Sequence, residues 1–250
     1  MAVHLEIEAQ VATITMDRPE VRNAIDQATA HEISVSLGKA DAEPDVRVIV
    51  ITGAGGSFCV GMDLKAFLRG EVVRSPTNGF AGVTQRALKK PLIAAVEGYA
   101  LAGGFEIAMA CDLIVAAEDA RFGLNQAKQG LAPDAGGLMR LPRQIPSKIA
   151  AELVLTARTV SSAFLASHGL VNRIVPRGEA VAAARQLAAE IIANDPVAIE
   201  VGKRILTESP DWTGSEMFGR QDAMTAPVIA SARAGALRFT EQGGSSPVEE

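Results

Sequence analysis

Two apolar runs that stop abruptly at glycines limit what this chain can fold into. Residues 46–51 (VRVIVI) lead into Gly53-Ala54-Gly55-Gly56, and Leu92–Val96 (LIAAV) leads into Gly98 and then Gly103-Gly104. Short β-branched runs with little polar alternation describe strands covered on both faces, as in a parallel sheet packed with helices. Residues 113–116 predict a third strand of this kind. Residues 3–7 and 11–15 alternate with period two about a short polar turn and predict a half-buried hairpin. Asp26 is a candidate N-cap for a helix to Asp41, with Ile33 and Leu37 four apart on one face. A further helix is expected over 104–111, and the polar stretch 70–79, with Pro76, predicts a mobile loop. From Pro146 onward the pattern is helical almost throughout, over 147–156, 161–168, 178–194, 197–208 and 214–240. Strands alternating with helices, then a stretch in which helices dominate, make an α/β core followed by a helical part. We place the core at 1–195, the helical region at 196–242 and a frayed tail at 243–250.

Composition removes several function classes. Apolar residues are 48% and charged residues 21%, which is a globular balance. Net charge is −5, with 24 Lys+Arg interspersed among 29 Asp+Glu, so there is no basic footprint for nucleic acid. Aromatics at 4% also leave no base-stacking platform. Residues 99–117 are long and apolar, yet Glu106, Asp112 and the glycine pair suit a buried segment of a soluble protein better than a membrane span. Residues 1–11 mix acidic and apolar positions and do not read as a signal peptide. Cys59 and Cys111 are too few for a disulfide framework, which points to a reducing compartment, the cytoplasm. The three histidines are scattered, so no metal site is expected.

The first glycine cluster fails three well-known patterns. Phe58 stands where a dinucleotide fingerprint needs its third glycine, and Met62 where a phosphate loop needs lysine. Cys59 stands where a nucleophile elbow around Ser57 needs glycine. Pairing Ser57 with His31 or His168 therefore has no motif behind it. The second cluster opens a helix, and a helix N-terminus presents unpaired N–H groups suited to an oxyanion. Close helix–sheet packing explains paired glycines equally well, and the spacing leaves both readings open.

The motifs ITGAGGSFCVGMDLKA, KPLIAAVEGYALAGGFEIAMACDLIVAA and RFGLNQAKQGLAPDAGGLMRLPR, with a weaker SSAFLASHGLVNRIV, are similar to the enoyl-CoA hydratase/isomerase (crotonase) family over residues 5–240. The wording MDLKAFLRGE, PDAGGLMRLPR and the MDRP opening resembles the carnitinyl-CoA dehydratase branch most. The resemblance implies a crotonase-like spiral of ββα units and a helical C-terminal trimerisation region. It also implies an acyl-CoA thioester substrate and a homotrimer or dimer of trimers. No metal or redox cofactor is implied, CoA being part of the substrate.

By the same resemblance the N–H groups of Met62 and Gly103 form an oxyanion hole, and Gly103 and Gly104 let the thioester approach the main chain. Arg22, Ala24, Gly61, Asp63, Leu64, Lys65, Gly104 and Phe239 fall at CoA- or substrate-binding positions. Glu106 takes the place of the first family glutamate. A glutamate inside so apolar a run is expected to be buried, with a raised pKa that suits acid–base work. Gln126 replaces the second glutamate and cannot ionise, though it can hold a water or a substrate oxygen. Asp134 is either a substitute carboxylate or the N-cap of a short helix starting near Ala135. Hydration/dehydration through an oxyanion-stabilised thioester enolate is the expected reaction. The alternatives are a single-carboxylate enoyl-CoA isomerase and a non-catalytic acyl-CoA binding protein.

Overall fold

The expected hairpin forms β1 (Val3–Glu8) and β2 (Val11–Met16), turned by Ala9 and Gln10, both at positive φ, in a computed structural model that describes residues 2–241, with side chains to residue 233. In α1 (Gln27–Ala42) the Asp26 carboxylate accepts the Thr29 N–H at 2.8 Å, so the cap is as expected. The first buried strand, β3 (Val48–Gly53), begins two residues later than the apolar run and continues into its first glycine. Asp63 caps the short α2 (Leu64–Leu68), accepting the Lys65 N–H at 2.9 Å.

The stretch expected as a mobile loop is a small hairpin of β4 (Arg74–Ser75) and β5 (Gly79–Phe80). Burial of Phe80 and an Ala81 N–H to Val73 C=O bond at 2.9 Å anchor it, and a polar composition does not advertise either contact. Then follow β6 (Leu92–Val96), β7 (Tyr99–Leu101), α3 (Gly103–Ala110), β8 (Leu113–Ala117) and β9 (Arg121–Gly123). After a 3-10 turn at Gln126–Gln129 come α4 (Gly137–Gln144), α5 (Ser147–Thr156), β10 (Val160–Ser161), α6 (Ser162–Ser167), β11 (Arg173–Val175) and α7 (Ala180–Ile192). Helices dominate after Pro146 as expected, interrupted by β10 and β11, which are too short to carry a readable period.

The main sheet has the order β1-β2-β3-β6-β8-β11 and is parallel from β2 onward. Its alternate residues separate two layers. Val11, Val48, Val50, Ile93 and Val115 meet the small face of α7, made of Ala180, Ala183, Ala184 and Ala188. Ile14, Ile51, Ala94 and Ile114 point the other way, into the larger core shared with Ile33 and Leu37 of α1. A second sheet, β10-β9-β7, turns the chain immediately before the second glycine pair.

The chain divides into two compact units, Met1–Ile192 and Ala193–Glu250. The second contains α8 (Pro196–Glu208), capped by Asp195, and α9 (Met217–Glu241). Residues 243–250, read above as a tail, lie outside the described residues. Among the described residues no helix is long and apolar enough to cross a membrane.

Candidate active site

Two isolated parallel bridges assemble the glycine-rich segments, Cys59 beside Ala100 and Ile25 beside Met62. Ile25 donates to the Gly61 carbonyl and accepts from the Asp63 N–H, each at 2.8 Å. That pairing uses the neighbours of Met62 and leaves the Met62 N–H out. Gly61, at φ +93°, presses so close to α3 that a Cβ there would lie 2.9 Å from the Gly103 nitrogen. Gly103 is the first residue of α3, so its N–H has no acceptor within the helix. Ala102 before it sits at φ 50°, ψ −124°, a strained setting for alanine, held by its N–H to the Gly123 carbonyl at 2.8 Å. Among the described residues neither the Met62 nor the Gly103 N–H donates to a backbone carbonyl. Both residues border one cavity of about 710 Å³, which Glu106 also lines.

The glycines themselves answer to packing. A Cβ on Gly104 would lie 2.1 Å from the Cys59 carbonyl, and one on Gly103 would lie 2.6 Å from the Phe80 ring. Contacts within the protein are thus enough to keep both positions small, the packing reading given above for the glycine pair. Gly61 and Gly104 lie behind the cavity wall, whereas Arg22, Ala24, Asp63, Leu64 and Lys65 line the cavity.

Glu106, in the first turns of α3, is 1% exposed. Its Oε1 accepts the N–H groups of Ala135 and Gly137, both at 2.8 Å, and its Oε2 accepts Gln126 Nε2 at 2.9 Å. Burial pushes its pKa up from the ordinary carboxylate range. The two backbone donors and the Arg74 charge oppose that shift, and the Asp134 charge adds to it. Because Oε2 needs a donor, the Gln126 amide must turn its nitrogen towards it. Gln126 Oε1 is then left buried without a partner, an acceptor available to a hydroxyl or a water.

Asp134 does not cap a helix. Gly136 occupies the N-cap of α4, because the chain needs two more residues to bring Ala135 and Gly137 onto Glu106. The Asp134 carboxylate, with its side chain 80% exposed, pairs with Arg74 Nη2 at 2.9 Å, and Asp134 lines the same cavity as Glu106. The Arg22 guanidinium lies 5.1 Å from the Tyr99 ring centre. Phe239 falls on α9, but its side chain lies outside the described residues. Ser57 Oγ is buried with no hydrogen-bond partner, and His168 Nδ1 is 2.7 Å from the Phe164 carbonyl, so they form no nucleophile–base pair.

Sequence reasoning passed over the residues that hold this cavity together. Asn23 donates to the Ala54 and Ser57 carbonyls at 3.0 and 2.7 Å, fixing the loop after β3. Arg18 reaches the Ala24 carbonyl, Asp26 and Asp63, at 2.6, 3.1 and 3.2 Å. The only signal for them was a dense polar run, DRPEVRN, in an otherwise apolar neighbourhood. Arg74 lay in the supposed loop and gave none.

A buried carboxylate thus borders one cavity with two residues whose N–H groups no backbone carbonyl accepts. The profile of the enoyl-CoA hydratase/isomerase family matches residues 6–246, and the chain belongs to that family. It is 40% identical over 221 residues to the carnitinyl-CoA dehydratase of Proteus mirabilis, covering 87% of this chain and 84% of that protein. The carnitinyl-CoA dehydratase of Salmonella enteritidis is 42% identical with the same coverage. Among solved structures, an enoyl-CoA hydratase of Mycobacterium marinum is 45% identical with a TM-score of 0.92, covering 96% of both chains. A carnitinyl-CoA dehydratase of Mycobacterium avium is 39% identical with a TM-score of 0.80, covering 90% of this chain and 92% of that one. The expected crotonase-type spiral is thus the fold found.

Proposed function

We propose that this chain adds water to, and removes it from, the 2,3 double bond of an acyl-CoA thioester. The observation that carries this reading is Glu106, buried and bordering one cavity with Met62 and Gly103, whose N–H groups have no backbone acceptor. In dehydration, Glu106 Oε2 takes the proton from Cα of a 3-hydroxyacyl-CoA. The C–H electron pair enters a thioester enolate whose oxygen is held by the N–H groups of Met62 and Gly103. The enolate then expels the Cβ hydroxyl, which departs as water with the proton that Glu106 carries, and hydration is the reverse. Each oxyanion donor is worth about 10²–10³ in rate. Gln126 Oε1 accepts the hydrogen bond of the departing or attacking water. Every step moves a proton or an electron pair within substrate and protein, so no metal or redox cofactor enters. Arg22 and Lys65 meet the CoA phosphates at the cavity mouth.

The test is the change in enoyl-thioester absorbance with crotonyl-CoA and with crotonobetainyl-CoA, the second chosen for the names of the relatives. Turnover of either is expected. Binding of both without turnover would replace this reading with that of an acyl-CoA binding protein. Substitution at Gly103 is a poor probe of the oxyanion site, since any Cβ meets Phe80.

We propose also a homotrimer or a pair of trimers, in the cytoplasm. Leu206, Phe218 and Ile229 are exposed at 78%, 68% and 49%, more apolar surface than helices in water usually leave bare. Light scattering is expected to give three or six times the 26.1 kDa chain mass, and a monomer at micromolar concentration would overturn the assembly. Cys59 and Cys111 are both buried thiols, in accord with a reducing compartment.

A further inference from the structure

We infer that Arg74 is a positioning residue for Glu106, acting through the single peptide group that joins Asp134 to Ala135. The inference rests on the reading of Glu106 as the proton carrier. A trans peptide is planar, and its C=O and N–H point in opposite directions. The C=O of this peptide, that of Asp134, accepts from Arg74 Nη2 at 3.0 Å. The N–H of the same peptide, that of Ala135, donates to Glu106 Oε1 at 2.8 Å. The guanidinium therefore holds one end of the plane and the carboxylate the other. A cation on the carbonyl also polarises the peptide and makes its N–H the stronger donor.

The contact is doubled by the side chain, since Arg74 Nη2 reaches Asp134 Oδ2 at 2.9 Å. Residues 131–136 have no regular structure, so their donors stay aimed only if something outside the segment grips them. Arg74 grips from one side. From the other, Arg140 of α4 reaches the Ala135 carbonyl at 3.4 Å with Nη1 and binds the Thr84 carbonyl with Nη2. Arg74 stands on β4, and the partner strand β5 carries the Phe80 ring that packs against Gly103. One small hairpin thus braces both the proton carrier and an oxyanion donor.

The charged groups around Glu106 are Asp134, Arg74 and Arg140. Asp134 raises the proton affinity of Glu106 and Arg74 lowers it, so removing each should move its titration in opposite directions. Arg74→Met is expected to lower kcat roughly 10- to 100-fold, as a small misplacement of a reacting group does, with KM changed by less than about threefold. The acidic limb of its pH profile should move to higher pH. Arg74→Lys should recover part of kcat and return the limb towards wild type. Asp134→Asn keeps the main-chain contact and removes the negative charge, so its limb should move to lower pH with less than about a tenfold loss of kcat.

A second readout needs no substrate: the carboxyl infrared band of Glu106, assigned by difference from Glu106→Gln, titrated in each variant. If no acyl-CoA is turned over, the proposed function fails while this titration still judges Arg74. Unchanged titration and kcat in Arg74→Met would overturn the inference, and so would a rise in KM alone, which would make Arg74 a substrate contact. A loss of about 10²-fold in Asp134→Asn would overturn it as well, because it would make Asp134 a second catalytic carboxylate.

Discussion

Glu106→Gln is expected to lower turnover by about 10²–10⁴-fold, or about 3–5 kcal/mol on the barrier, with no loss of stability. A glutamine at 106 still offers Oε1 to the N–H groups of Ala135 and Gly137. Its nitrogen then faces Gln126, whose amide has only to turn over so that the orphaned Oε1 accepts it. The flip moves Gln126 Nε2 to where Oε1 had no partner, so the number of unpaired buried groups in this pair is unchanged.

The pH dependence follows from the direction of the pKa shift. Burial, reinforced by the Asp134 charge, raises the Glu106 pKa above its unfolded value. The stability it contributes is full below the ordinary carboxylate range and is lost as pH rises through the raised value. Glutamine does not ionise and loses nothing over that window. Thermal melts of the two proteins should therefore coincide at acid pH and separate as pH rises above the ordinary carboxylate range, with the variant the more stable. Near-wild-type turnover in a folded Glu106→Gln protein would remove Glu106 from the chemistry altogether.

Gln126→Glu is expected to speed hydration of crotonyl-CoA by about 10- to 100-fold. A well-placed second acid/base group contributes about 10²–10⁴, and a side chain not shaped for the task forfeits roughly half of that free energy. The geometry favours a gain. Gln126 Nε2 lies 2.9 Å from Glu106 Oε2, so a carboxylate there cannot ionise together with Glu106 near neutral pH. The pair would share a proton, which supplies a base and an acid side by side, and its titration would belong to both residues together. The rate should then pass through a maximum with pH and fall once both groups are ionised. No gain from Gln126→Glu, combined with a crippling Asp134→Asn, would show instead that Asp134 already supplies the second carboxylate.

Much of this was legible in one dimension because the physics behind it is local. The β-branched runs of β3, β6 and β8 declare strands buried on both faces, and Asp26 declares its helix by a hydrogen bond three residues away. A glutamate inside GFEIAMACD had to be buried, since the residues around it leave it nowhere polar to go, and its raised pKa follows from that. The joint wording of three motifs was enough to place the chain in its family.

What tertiary structure alone decided are contacts between residues far apart in sequence. Met62 and Gly103 border one cavity only because the bridge between Cys59 and Ala100 draws their two segments together. Whether Gly104 made room for a ligand or for the protein depended on one carbonyl, that of Cys59, 45 positions away. Asp134 offered either a cap or a second carboxylate by its place before a helix, yet the helix starts beyond it and its partner is Arg74, 60 residues distant. Periodicity and capping rules see only neighbours along the chain. The fate of a polar side chain is set by whichever charge or N–H the folded backbone brings beside it.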